Sequence, residues 1–155
     1  MVTVAIALGS NLGDRVAHLQ YAVTRLSAVL SSIEVSRWYE TEPVGTAPQP
    51  RFLNGAVVGE TALPARQLLD TLLAIERERG RERPFPGAAR TLDLDLVLFG
   101  DQVIDEPGLV VPHPRFRERR FVLEPLAEVA PDLVDPVTTV TIRTLIDRQT
   151  RANRG

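Results

Sequence analysis

Thr91-Leu92-Asp93-Leu94-Asp95-Leu96-Val97-Leu98-Phe99 is the stretch that decides the fold, because leucine and aspartate alternate before the run turns wholly apolar. That is the pattern of a β-strand. Residues two apart on a strand share a face, about 7 Å from one another. Asp93 and Asp95 therefore project together while Leu92, Leu94 and Leu96 point into the core. Aspartate is a poor strand former, so two of them inside an otherwise good strand break a local rule that threonine would satisfy. The ordinary reading of such a pair is the solvated face of an edge strand. The functional reading is a pair of carboxylates for one or two hard cations shared with the oxygens of a nucleotide, since Mg2+ takes oxygen ligands and needs only one or two protein carboxylates.

Outward from this strand, the preceding segment Arg81 to Arg90 carries Pro84, Pro86 and Gly87 and reads as a loop. Before it, Pro64 opens a predicted helix whose Leu68, Leu69, Leu72, Leu73 and Ile75 form a buried face and which Gly80 ends. Val2, Val4, Ile6 and Leu8 alternate into a first strand that stops at Gly9-Ser10-Asn11. This start is too short and too poor in basic residues for a signal peptide. Val16, Leu19, Val23, Leu26 and Leu30 give a helical stripe from Asp14 to Leu30. Ile33 to Tyr39 reads as a second strand and Phe52 to Val58 as a third, separated by a loop with Pro43, Gly45, Pro48 and Pro50. Val103-Ile104 suggests a short returning strand, and Val122 to Val129 and Ile142 to Arg148 suggest short helices. Strand, helix, strand, strand, helix, strand is the order of a ferredoxin-like α+β sandwich, a mainly antiparallel sheet covered by helices.

The 155 residues, 44% hydrophobic and 25% charged, suit one domain, 1–155, with a single core. A net charge of −2 gives no general attraction to nucleic acid or anionic membrane. Aromatics at 5% also speak against RNA binding on the strand faces. The 18 basic residues are all arginine, which excludes Schiff-base chemistry and a Walker-type phosphate loop, because both need lysine. The absence of cysteine removes thiol catalysis, cysteine zinc sites and disulfides, and fits a cytoplasmic enzyme. No run is long enough to span a membrane.

Nine arginines flank the acidic pair: Arg77, Arg79, Arg81, Arg83 and Arg90 before it, Arg115, Arg117, Arg119 and Arg120 after it. Guanidinium groups bind phosphate oxygens in a bidentate fork and stay charged, which suits a triphosphate held while a bond breaks. Arg77 and Arg79 alternate with Glu76 and Glu78 at a helix end and read as a solvated terminus. Arg81, Arg83 and Arg90 lie where a loop and a strand entry can aim them at the carboxylates. His113, between two prolines, could donate to phosphate or brace a turn. With only His18 besides, a histidine metal site is not expected.

Arg90-Thr-Leu-Asp-Leu-Asp-Leu-Val-Leu-Phe-Gly100 resembles the signature of the 6-hydroxymethyl-7,8-dihydropterin pyrophosphokinases, an arginine-threonine-leucine-aspartate-hydrophobe-aspartate string. The resemblance continues in Ala7 to Gly13, Thr41 to Gly45, Phe52-Leu-Asn54, Ile75-Glu76, Gly80-Arg81, Val111 to Pro114 and Arg119-Arg-Phe121. It implies a ferredoxin-like fold and transfer of pyrophosphate from ATP to the hydroxymethyl group of a reduced pterin, in folate biosynthesis, with AMP leaving. It implies two Mg2+ ions on Asp93 and Asp95, which also lie against the pterin hydroxymethyl group. Arg81, Arg90, His113 and Arg119 are implied to hold the ATP phosphates, Arg83 to assist transfer and Glu76 to sit on the nucleotide side. For the pterin, Asn54 is implied to read the ring by hydrogen bonds and Phe52 and Phe121 to line or stack on it. Thr41, Pro43, Val44 and Gly45 would supply backbone contacts. A flat ring between aromatic faces is physically sensible, although core packing explains Phe52 nearly as well. The departure is in Pro84-Phe-Pro-Gly-Ala-Ala-Arg90, which lacks the tryptophan that part of the family closes over the site; Phe85 is the apolar residue available instead. The expected partners are small molecules, not nucleic acid or membrane, and the expected state is a monomer. A rival reading, a ferredoxin-like binding module without catalysis, would tolerate loss of both aspartates.

Overall fold

The computed structural model describes residues 1–42, 50–80 and 91–154. Its elements are β1 (Val2–Ser10), α1 (Arg15–Leu26), β2 (Ser31–Val35), β3 (Tyr39–Thr41), β4 (Phe52–Thr61), α2 (Ala65–Glu78), β5 (Asp93–Phe99), β6 (Ile104–Glu106), β7 (Leu109–Val111), a 3-10 turn (Phe116–Glu118), α3 (Arg120–Val129) and α4 (Ile142–Arg154). The main sheet runs β2-β4-β1-β5, with β3 also paired to β4, and all pairings are antiparallel. The two units β1-α1-β2 and β4-α2-β5 are interleaved, each with a strand of the other between its own two. This is the ferredoxin-like arrangement that the element order predicts.

Local chemistry sets the element ends. Asp14 caps α1 by accepting the Ala17 amide at 3.1 Å, and Thr141 Oγ1 accepts the Thr144 amide at the start of α4. Pro64 is the capping residue of α2 rather than its first residue. The predicted stripes need correction at single positions. Val16 and Leu73 are exposed, and Leu30 is buried but lies beyond the end of α1. The helix at the C-terminal end extends past Arg148 to Arg154, and α3 begins at Arg120, ahead of Val122.

In place of the expected single core there are two apolar clusters, one on each face of the sheet. Val4, Ile6, Leu8, Leu94 and Leu96 pack on Leu19 and Leu26 of α1 and Leu68, Leu72 and Ile75 of α2. Ala5, Ala7, Ala56, Val58, Val97 and Leu98 pack on Phe116, Val122, Leu123, Leu126, Ile142 and Leu145. The sheet therefore needs apolar residues on both faces, which is why β1 is buried without a break from Val4 to Ser10.

Two strand assignments change. The predicted strand Ile33 to Tyr39 is two strands on β4, broken at Ser36–Trp38, where the Ser36 hydroxyl accepts the Ala56 amide at 2.9 Å. The Trp38 ring packs so closely on Gly55 that a Cβ there would lie 2.4 Å from it. Val103 precedes β6, which pairs only with β7 in a separate ribbon turned at Pro107-Gly108. From β7 the chain passes a cis Val111–Pro112 bond to His113, whose amide donates to the Val97 carbonyl at 3.0 Å and ties this segment to β5.

Candidate active site

Register places the acidic pair. Asn54, Gly9 and Asp93 form one row across β4, β1 and β5, and Ala56, Ala7 and Asp95 form the next. Both rows face α3, as Ala7 and Ala56 do. With strands about 4.8 Å apart, Asn54 and Asp93 stand about 10 Å from each other over a floor of glycine and alanine. The hydroxyl of Thr41 and the ring of Phe52 join this face, because Thr41 pairs with Phe52 two residues from the Tyr39–Asn54 pair. Phe121 and Arg119, from the start of α3, stand opposite. The cleft between these walls has a volume of about 740 Å³.

Asn54 is held before any ligand arrives. Its Nδ2 donates to Thr41 Oγ1 at 2.6 Å, and the side chain is buried. A Cβ on Gly9 would stand 3.0 Å from Asn54 Oδ1 and 3.7 Å from the Phe52 ring. Gly9→Ala therefore pushes Asn54 and fills the floor. We expect a tenfold or greater rise in KM for the ring substrate, on the order of what small misplacements cost, with little change in Tm, checked by steady-state kinetics beside a thermal melt.

The arginines after His113 separate by function. Arg117 is taken by Asp135 and lies over the Phe116 ring at 4.7 Å, so it is structural. Its neighbours Arg115, Arg119 and Arg120 line the cleft instead. Arg120 bonds Glu124 at 3.0 Å and Thr150 at 2.9 Å, and Arg115 meets Glu118 at 3.7 Å, both at exposed positions where such pairs are weak. Arg119 makes no ion pair with another described residue; its guanidinium lies 5.6 Å from the Phe121 ring centre. Of the described arginines that line the cleft, it is the one left open to an anion. Before the strand, Arg79 is anchored rather than solvated: it stacks on Tyr21 at 4.6 Å and donates to His18 Nδ1 at 2.9 Å. Arg77 is exposed, as expected. Arg81, Arg83, Arg90, Pro43, Val44 and Gly45, and the segment with Phe85, lie outside the described residues.

A second cleft, about 260 Å³, opens on the other side of the acidic pair, between Leu69 of α2, Leu94 to Leu96 of β5, Gly108 to Val111 of the ribbon, and His113. Asp95 lines both clefts. Sequence reasoning did not find this second cleft, nor Tyr39, Ala7 and Gly9 in the first. The alternation of Tyr39 with Thr41 carried a signal; the cleft itself did not, since it joins helix and ribbon segments remote in sequence.

The Nδ1 of His113 accepts the Arg115 amide at 3.2 Å, which leaves Nε2 as the donor of the neutral ring. Burial, then the charge of Arg119, pushes its pKa below the ordinary histidine value, while Asp93 pulls the other way. Burial and then Arg79 likewise lower His18. Both rings are thus expected to stay mainly neutral at pH 6.5, checked by 15N side-chain shifts. Their contribution to stability is complete above the ordinary histidine pKa and falls as pH drops below it, where the unfolded chain takes up protons more readily.

Asp93 and Asp95 are half-exposed in β5. Among the described residues there is no group of three or more histidines, aspartates or glutamates able to cage a metal. Two carboxylates, one of them at the junction of two clefts, fit Mg2+, which keeps waters and takes its remaining ligands from phosphate.

The fold is that of a ferredoxin-like α+β domain with two clefts meeting at its acidic strand. A family model for 7,8-dihydro-6-hydroxymethylpterin-pyrophosphokinase (HPPK) matches residues 5–131. The 2-amino-4-hydroxy-6-hydroxymethyldihydropteridine pyrophosphokinase of Synechocystis sp. is 44% identical over 146 residues, 92% of this chain and 74% of the relative. The enzyme of the same name from Pseudomonas aeruginosa is 46% identical over 132 residues, 84% of this chain and 82% of the relative. The crystal structure of wild-type Plasmodium falciparum HPPK-DHPS aligns with a TM-score of 0.73 at 16% identity, covering 95% of this chain and 44% of that one, a likeness of fold to part of a larger protein. The chain belongs to the 7,8-dihydro-6-hydroxymethylpterin-pyrophosphokinase family.

Proposed function

We infer that the chain transfers the pyrophosphoryl group of ATP to the hydroxymethyl group of 6-hydroxymethyl-7,8-dihydropterin, giving the pterin pyrophosphate and AMP in folate biosynthesis. One observation beyond family membership carries the reading: two clefts of different size, walled by different elements, meet at Asp95. The larger suits a flat polar ring, with Asn54 and Thr41 at its edge and Phe52 and Phe121 on its faces. The smaller, running from Leu69 and Val110 to His113, suits a nucleotide whose phosphates run toward the carboxylates.

In this arrangement the pterin hydroxyl oxygen bonds to the β-phosphorus as the bridge to the α-phosphate breaks, and the hydroxyl proton passes to solvent. Asn54 and the aromatic rings orient the acceptor. Arg119 and the His113 Nε2–H hold phosphate oxygens, and we assign Arg81, Arg83 and Arg90 to the same charge on the strength of the sequence signature. Asp93 and Asp95 are the residues that would hold two Mg2+ ions, which when bound supply neutralisation of the triphosphate charge. No strong general base is needed, because phosphoryl transfer rests mainly on positioning and charge. We place residues 1–155 in one domain and the protein, as a monomer, in the cytoplasm; no described helix is long and apolar enough to cross a membrane.

The test is incubation with ATP, Mg2+ and 6-hydroxymethyl-7,8-dihydropterin followed by chromatography. AMP is expected only when pterin and metal are both present. ADP as the product, or AMP without pterin, would contradict the assignment.

A further inference from the structure

Glu76 is a carboxylate in an apolar position. The buried stripe of α2 is Ala65, Leu68, Leu72, Ile75 and Glu76, and Glu76 is 1% exposed. It lines neither cleft. An apolar side chain would fill the stripe there without the cost of taking a carboxylate out of water. What the carboxylate does is accept, through Oε2, the amide of Leu94 at 2.7 Å. Leu94 is the residue between Asp93 and Asp95, and β5 is the last strand of the main sheet on its side. The Leu94 amide points away from β1 toward α2, where no strand can take it, and it is buried. Left without an acceptor it would incur the full desolvation penalty of an orphaned donor.

We propose that Glu76 is a positioning residue for the transfer: by fixing the Leu94 amide it sets the orientation of the Asp93–Leu94 peptide, between the two aspartates, and with it the direction of both carboxylates toward Mg2+–ATP. This rests on the assignment of the metal to Asp93 and Asp95. A rigid helix thereby holds β5 at Leu94 on the side away from β1, where no described strand pairs with it, and the hydrogen bond acts between the two carboxylates rather than on either alone. Asn54, Thr41 and Phe52 are carried by β3 and β4, so the contacts to the pterin ring, as distinct from its hydroxymethyl end at the aspartates, do not depend on this bond.

The experiment compares Glu76→Met, which fills the volume without an acceptor, Glu76→Gln, which keeps one, and Asp95→Asn. Mn2+ binding is read by electron paramagnetic resonance in the presence of an ATP analogue with a non-cleavable α,β bridge, and kcat and pterin KM are read with Mg2+–ATP. Glu76→Met should weaken Mn2+ binding on the order of 10- to 100-fold and lower kcat, with pterin KM within about twofold of the parent; Glu76→Gln should recover most of both losses. Parent-like Mn2+ affinity in Glu76→Met, with Asp95→Asn deficient, overturns the role of Glu76 alone. Parent-like affinity in Asp95→Asn overturns the metal assignment and this proposal with it. Should Glu76→Met not fold, Glu76→Asp, one methylene too short to reach the amide, replaces it, and undiminished Mn2+ affinity in that variant is the contradicting result.

Discussion

Asp95→Ala will lower turnover by about three orders of magnitude or more while leaving Tm almost where it was. The size follows from position: Asp95 lines both clefts, so it is the side chain that can face the attacking oxygen and the phosphate chain together. Losing the charge stabilisation of a metal-assisted displacement removes several kcal/mol from the transition state, and each ~1.4 kcal/mol is a factor of ten in rate. The fold is spared because Asp95 is half-exposed on the cleft side of β5, and the strand's hold on the α1–α2 layer comes from Leu94 and Leu96. Truncation of a half-exposed side chain outside the core costs on the order of 1 kcal/mol, and relieving repulsion from Asp93 offsets part of that. Asp93→Ala, whose side chain lines only the larger cleft, should lose less. Turnover of Asp95→Ala near the parent value, measured as AMP release at saturating Mg2+, would remove the basis for placing the metal on this strand and restore the non-catalytic module as the better reading.

What could be read from the sequence was what repeats locally. The alternation of Leu92 to Leu96 gave the strand, its two faces and the projection of both aspartates, because a period of two needs only neighbours. The same rule failed at Val97, where β5 bulges: Ala5 pairs with Leu98 and Ile6 with Leu96, so Val97 and Leu98 both pack on the α3–α4 side. An apolar run looks the same with or without the extra residue. The break between β2 and β3 left one visible sign, Gly55 in the middle of an otherwise good strand, the position the Trp38 ring needs. The arginines show the other limit. Arg115, Arg117, Arg119 and Arg120 carry identical charge, and only the chain's return at Asp135, 18 residues from Arg117, decides which of them leaves the cleft. Glu76 reads as a polar helix end until α2 is seen to lie over Leu94.

Asp135→Ala should be the most destabilising polar substitution in the tail, on the order of 3 kcal/mol, or roughly 10 °C in Tm for a chain of this length. The carboxylate is fully buried and accepts from Arg117 Nε and Nη2, the Val137 amide at 3.0 Å and the Thr138 hydroxyl at 2.6 Å. Truncation leaves these donors without their acceptor in a site largely closed to water, and Arg117, whose side chain is 24% exposed, keeps enough solvent to hold the cost at the low end for a broken buried pair. Burial alone would raise the Asp135 pKa, but Arg117, Thr138 and Val137 together outweigh it and hold it at about 2, below the ordinary 3.8. A carboxyl depressed on folding stabilises the protein above its unfolded pKa and loses that contribution as pH falls toward the folded one. The parent should therefore lose stability between about pH 4 and pH 2, and Asp135→Ala should lose less over that window, so that the two denaturation midpoints converge on acidification. A gap that stays constant from pH 7 to pH 2.5 would mean that Asp135 acts through packing and not through its charge. The clasp also bears on the site, because it turns Arg117 away and leaves Arg115 and Arg119, on either side of it in sequence, at the cleft. The folded fraction of Asp135→Ala should accordingly show a raised KM for ATP, with the KM for pterin changing less.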